Sequence, residues 1–155
     1  MSTALFEAVK VGDAKTVQQL LSAGADVNAC DEAGWTPLAR AVYCQELRHG
    51  FLDVVQVLVG AGANLEAAIA YGVRPLMLAA GYGETDIVEF LIQSGADVLA
   101  KNEGGYTALM MVKQKHYVDV VNLLHEAEQL AGLGEGSCAS KNAPNVNVIN
   151  FMKRT

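Results

Sequence analysis

The chain maps onto itself at a fixed step. Leu5 to Leu38, Gly62 to Gly95 and Arg74 to Thr107 are each 33 residues apart. A recurring step of that size marks a repeat architecture, in which one unit cannot bury its apolar face alone and a continuous core forms only when neighbours stack. Each unit reads as two short amphipathic helices, split by one glycine and closed by another. Gly83 and Gly95 do this in the central unit, and Gly12 and Gly24 in the first. No alternating strand pattern competes with the helical one. The expected fold is all-α, a solenoid of four helix-turn-helix units joined by hairpin-like loops.

The ends differ from the middle as stacking requires. Thr16 aligns with Val54, Ile87 and Val120, and Gln19 with Val57, Phe90 and Leu123, so the first unit alone is polar in those columns. At the other end Lys113 stands where earlier units have Val9, Val42 and Ala80, and His125 where they have Leu21, Val59 and Ile92. A terminal repeat turns one face to water, and polar residues there keep it soluble. Gly12, Gly50 and Gly83 share the column that leaves the first helix, where left-handed backbone costs a glycine nothing. His116 fills that column last and is expected to be left-handed too. Glu128 replaces Gly24, Gly62 and Gly95, so the final helix should continue to about Gly132. Asp53, Asp86 and Asp119 fall in first helical turns, where the helix dipole favours a carboxylate.

Gly34-Trp35-Thr36-Pro37-Leu38-Ala39-Arg40-Ala41 and Ser22-Ala23-Gly24-Ala25-Asp26-Val27-Asn28-Ala29 resemble the two signature halves of the ankyrin repeat. The resemblance covers about residues 1–130, leaving 131–155 as a flexible C-terminal tail. It implies a non-enzymatic protein-binding module whose inner helices and loop fingers form a concave contact face. Asn28 also resembles the asparagine that is hydroxylated in some family members, although a bond holding the inter-repeat turn accounts for it and for Asn64. The sequence departs from the family pattern in three ways. The usual Thr-Pro-Leu-His becomes Thr-Pro-Leu-Ala at Thr36, Arg-Pro-Leu-Met at Arg74 and Thr-Ala-Leu-Met at Thr107, so Arg74 removes a helix-capping hydroxyl. Five extra residues, 45–49, lengthen the step from Leu38 to Leu76. Ala67-Ala68-Ile69-Ala70-Tyr71 makes an apolar finger where its neighbours are polar, either a binding patch or a surface shielded by the insertion.

Composition narrows the function. With 52% hydrophobic and 18% charged residues the chain can bury a core, and its net charge of −6 repels nucleic acid and anionic membranes. No basic segment followed by an apolar run opens the chain and no window is long enough to span a bilayer, so a cytoplasmic location is expected. Cys30, Cys44 and Cys138 lack metal or disulfide spacing, as do His49, His116 and His125 for a metal. Neither an enzyme nor a cofactor is expected.

The freely varied contact columns of the resembled fold hold Trp35, Val73 and Tyr106, then Tyr43, Gly81 and Gln114, then Cys44, Tyr82 and Lys115. Ile69 and Tyr71 lie beside them on the apolar finger. Trp35, Tyr43, Cys44, Ile69, Tyr71, Tyr82, Tyr106 and Lys115 are therefore the candidate protein-binding residues, with Trp35 as the first choice of anchor. The partner is an unidentified protein and the chain is expected to be a monomer. A self-associating structural protein, or an inhibitor, immunity or effector protein using the same surface, are the alternatives. The tail segment Val146-Asn147-Val148-Ile149-Asn150-Phe151-Met152 reads as a linear motif, a secretion signal, a flap or plain disorder.

Overall fold

The structure, a computed structural model, describes residues 2–44 and 49–136. Readings that depend on residues 45–48 or 137–155, namely the shielding of Ile69 by the insertion and the role of the tail, lie outside the described residues. Among the described residues eight α-helices form four pairs: α1 (Ser2–Val11) with α2 (Ala14–Ser22), α3 (Pro37–Val42) with α4 (Leu52–Gly60), α5 (Pro75–Gly81) with α6 (Thr85–Gln93), and α7 (Ala108–Val112) with α8 (Val118–Gly136). The first members pack on one another as an inner row and the second members as an outer row. Leu5, Leu38, Leu76 and Leu109 occupy one column and all are buried, as are Val54, Ile87 and Val120 in another. Each such side chain contributes about 1.5–3 kcal/mol by leaving water. Met77 is 2% exposed between its neighbours, whereas Met110 in the same column is 49% exposed on the last inner helix.

Local chemistry sets the helix starts. Thr36 and Thr107 accept the N–H of Ala39 and Met110 on their hydroxyls, while Arg74 caps nothing. Instead Arg74 reaches sideways, its Nε 3.2 Å from Glu66 and its Nη1 donating to the Lys101 carbonyl. Side chains also stitch successive units together. Asn28 Oδ1 accepts the Asn64 N–H at 2.8 Å, and Glu66, in the same column, accepts the Asp97 N–H at 2.8 Å. The Asn28 amide thus holds the inter-repeat turn.

The turn column departs from expectation at two of its four positions. Gly12 and Gly83 are left-handed, with φ of +75° and +74°. Gly50 is not: its N–H donates to the Glu84 carboxylate, and a Cβ there would fall 2.4 Å from the Val42 carbonyl and from Ile87. Close approach, not dihedral freedom, requires that glycine. His116 is not left-handed either: a Cβ in that region costs about 1–2 kcal/mol unless surrounding structure enforces it, and here the turn closes another way. The last turn is made with Lys113 in right-handed helical backbone and the Lys115 N–H on the Val112 carbonyl. A third correction concerns α8, which passes through Gly132 and is helical as far as Gly136, the last described residue. Glycine weakens a helix by only about 1 kcal/mol and keeps its N–H, so an established helix propagates through it.

Candidate protein-interaction face

The fingers share one backbone frame. Asp31, Ile69 and Asn102 each donate their N–H to the carbonyl four residues on, at Trp35, Val73 and Tyr106. What fills the frame differs. Asp31 Oδ1 accepts the N–H of Ala33 and Trp35, and Asn102 Oδ1 accepts those of Gly104 and Tyr106. Ile69 has no oxygen to offer. Its finger closes instead as a 3-10 turn, Ala70–Gly72, with Tyr71 in left-handed backbone at φ +62° and its side chain 79% exposed. Among the described residues Tyr71 is the one non-glycine with positive φ. The turned peptide puts the Tyr71 carbonyl on the Glu103 N–H at 3.0 Å, joining the second finger to the third. Gly72 must be glycine for that contact, since a Cβ would lie 2.9 Å from the Glu103 nitrogen.

The sequence-derived candidates fall into two rows separated by the inner helices, whose six residues in α3 span about 9 Å. The finger row holds Trp35, Ile69, Tyr71 and Tyr106. Tyr71 and Tyr106 (55% exposed) face solvent, whereas Trp35 and Ile69 are half-buried and pack against the core. The Arg40 guanidinium lies 4.5 Å from the Trp35 ring centre and bonds Asp31 through Nε and Nη2. Burial pushes the Asp31 carboxyl up, but the Trp35 N–H, Arg40 and the Ala33 N–H together outweigh it and hold it below the usual value.

The turn row holds Tyr43, Cys44, Tyr82 and Lys115, and each side chain in the Cys44 column leans back on the preceding unit. Tyr82 stacks on Tyr43, Lys115 Nζ donates to the Gly81 carbonyl at 2.6 Å, and the Cys44 thiol donates to the Lys10 carbonyl at 3.6 Å. Cys44 is 5% exposed, so its side chain lies beneath the face rather than on it. A small side chain is drawn under where a tyrosine or lysine must stay out. Burial, then the Tyr43 phenol, raise the Tyr82 hydroxyl above its ordinary pKa.

Open clefts among the described residues include one beside the finger row and one on the outer-helix side. One of about 460 Å³ lies between α1 and the first finger, lined by Phe6, Glu7, Lys10, Asp31, Glu32 and Arg40 among others. The other, about 470 Å³, lies between the outer helices α2 and α4 and is lined by Gln18, Leu21, Gln56 and Val57 with small residues. Their similar volumes leave chemistry to separate them, and only the first carries charge. Sequence reasoning missed Glu32 and Glu103, exposed at fingertips on either side of Tyr71, because charge at a loop tip looks like ordinary solvation. Among the described residues neither has an ion-pair partner.

A family model for ankyrin repeats, in three copies, matches residues 1–68 and 44–132. The chain belongs to the ankyrin-repeat family. Ankyrin repeats are generally protein-interaction modules and typically non-enzymatic. This ankyrin-repeat chain is 41% identical over 78 residues to the mouse 2-5A-dependent ribonuclease, covering 50% of the chain and 10% of that protein. It is 42% identical over 64 residues to human protein phosphatase 1 regulatory subunit 27, 41% of the chain and 38% of the relative. With rat cyclin-dependent kinase 4 inhibitor B it shares 37% identity over 78 residues, 50% of the chain and 57% of the relative. The chain thus spans from a tenth to just over half the length of these relatives. Among the described residues no helix is long and apolar enough to cross a membrane.

Proposed function

We propose that this ankyrin-repeat chain binds a protein partner through the finger row, with Tyr71 and Tyr106 as principal contacts and Trp35 and Ile69 beneath them as support. Tyr43, Tyr82 and Lys115 form a secondary rail at the turn edge. The observation that carries the reading is Tyr71. A large aromatic side chain is held in a backbone region that disfavours it, on a fingertip fixed to the next finger, with its ring in water. Strain of that kind persists where surrounding structure enforces it, and it recurs at binding sites. Rigid aromatic side chains offer large contact area at small entropic cost. This shifts the anchor from Trp35, whose ring is already engaged by Arg40 and the core. Two relatives are named as a phosphatase regulatory subunit and a kinase inhibitor, and we place this chain in that class of stoichiometric, non-catalytic regulators.

The test uses the full chain as bait in an extract of its source. Tyr71→Ala and Tyr106→Ala should each lose the protein that the unaltered chain retains, weakening it by about 2 kcal/mol or more. Asn122→Ala, on exposed outer-helix surface, should retain it. Retention by both tyrosine variants would contradict the assignment.

A further inference from the structure

The tips of successive fingers are Glu32-Ala33, Ala70-Tyr71 and Glu103-Gly104, which sets a tyrosine between two carboxylates along the row. The cations nearest this row are engaged: Arg40 by Asp31, Arg74 by Glu66 and the Lys101 carbonyl, Lys10 by Glu7. Lys101, exposed at the base of the last finger, is a positive group left on that face. Residues 1–136 contain 8 Lys and Arg against 17 Asp and Glu, since Lys141, Lys153 and Arg154 account for the rest of the 11 basic residues. The body that presents the fingers therefore carries −9, more acidic than the whole chain at −6.

Resting on the binding role proposed above, we infer that the occupant of the finger row is a basic protein segment in polyproline II conformation. Its basic residues sit six positions apart around a central apolar residue. The spacing argument is geometric. Neighbouring packed helices lie about 8–10 Å apart, and the fingers inherit that step from the inner helices. A polyproline II chain rises about 3.1 Å per residue with three residues per turn, so positions i, i+3 and i+6 share one face about 9 Å apart. A β-strand advances about 10 Å in three residues but turns the third side chain to the opposite face. The match gives basic, any, any, apolar, any, any, basic. The first and last side chains meet Glu32 and Glu103, and the central one lies on the Tyr71 ring, as polyproline II ligands dock on aromatic surfaces. Carboxylates at both ends select the partner's charge and its register.

The experiment is a panning of random twelve-residue peptides on the full chain, with binding of the enriched sequences then measured by fluorescence anisotropy. The inference expects enriched peptides with Lys or Arg at positions i and i+6. Their affinity should fall about three- to tenfold in the Glu32→Gln, Glu103→Gln double variant, as loss of two exposed charge pairs gives, and rise in Lys101→Glu. They should also be lost in Tyr71→Ala. Peptides that need Tyr71 but are neutral or acidic, or whose basic residues recur at the seven-residue step of a helix, would overturn this inference and leave the finger-row reading standing. Peptides indifferent to Tyr71 and Tyr106, or no enrichment at all, would overturn both.

Discussion

Tyr82 lies flat on Tyr43, ring centres 3.7 Å apart and planes 3° from parallel, although the two residues belong to different repeats and are 39 positions apart in the chain. The stack bridges the turn edge of the second and third units at the level of the insertion. With the centres this close the rings are barely offset and their negative faces oppose, so the pair contributes at the low end of the about 0.5–1.5 kcal/mol that offset or edge-to-face pairs give beyond the area they bury. A double-mutant cycle with Tyr43→Ala and Tyr82→Ala should therefore give a small coupling energy, about 0.5 kcal/mol, in urea unfolding. Strict additivity of the two losses would mean that the rings do not interact.

Gly83 shows which glycines are held by a neighbour as well as by their own backbone. A Cβ there would sit 2.8 Å from the Tyr117 ring, whereas Gly62, also at positive φ, has nothing within 4 Å. Gly62→Ala should cost about 1–2 kcal/mol from backbone strain alone. Gly83→Ala should cost at least about 1 kcal/mol more from overpacking, and adding Tyr117→Ala should return that excess. Equal losses at the two glycines would rule out the ring contact.

Left-handed backbone at Tyr71 makes stability and binding separable. Tyr71→Asn and Tyr71→Gly place residues that accept that conformation, so thermal unfolding should stay within about 1 kcal/mol of the parent or improve. Partner affinity should fall in both. Ile69→Asp supplies the missing oxygen and should convert the finger to the form its neighbours adopt, releasing the Glu103 N–H from the Tyr71 carbonyl. Amide exchange at Glu103 should then accelerate.

Asp31 sets an acid limit on the first finger. Its carboxyl is depressed in the folded chain, so its stabilising effect is fully present above the ordinary carboxylate pKa of about 4 and is lost as pH falls through the lower folded value. Unfolding free energy should drop more steeply below about pH 4 in the parent than in Asp31→Asn. Parallel pH profiles would show that the Arg40 and Trp35 contacts add nothing.

Removing residues 45–49 should be tolerated. By Phe51 the chain has regained its register, with the Phe51 N–H on the Ala41 carbonyl just as the Glu84 N–H meets Ala79 and the Asp13 N–H meets Ala8. Gly50 could then take up the left-handed turn of Gly12 and Gly83. The deletion should keep its helicity and change stability by no more than about 1 kcal/mol. An aggregated product would assign the insertion a covering role.

Much of the fold could be read in advance because repetition exposes it. Leu5 to Leu109 mark the core column, and Gly24, Gly62 and Gly95 mark the helix ends at φ near +100°. The site was less legible, since its geometry lies between repeats, where a single-column reading does not look. Cys44, Tyr82 and Lys115 share a column, yet the small thiol goes under while the larger ring and the charged ammonium stay out. Trp35 reads as an exposed anchor until Asp31, four residues before it, is seen to accept its N–H and to hold Arg40, nine residues after Asp31, over its ring. Ile69 was visible as odd, but that its missing oxygen would drive Tyr71 into left-handed backbone follows only from comparing all three fingers.

Photo-crosslinking tests the binding face most directly. With p-benzoylphenylalanine placed singly at position 71, 106 or 122 of the full chain, irradiation in source extract should yield one discrete adduct shared by 71 and 106, and none at 122. An adduct formed from 122 but from neither finger position would put the partner on the outer helices and contradict the finger row as the site.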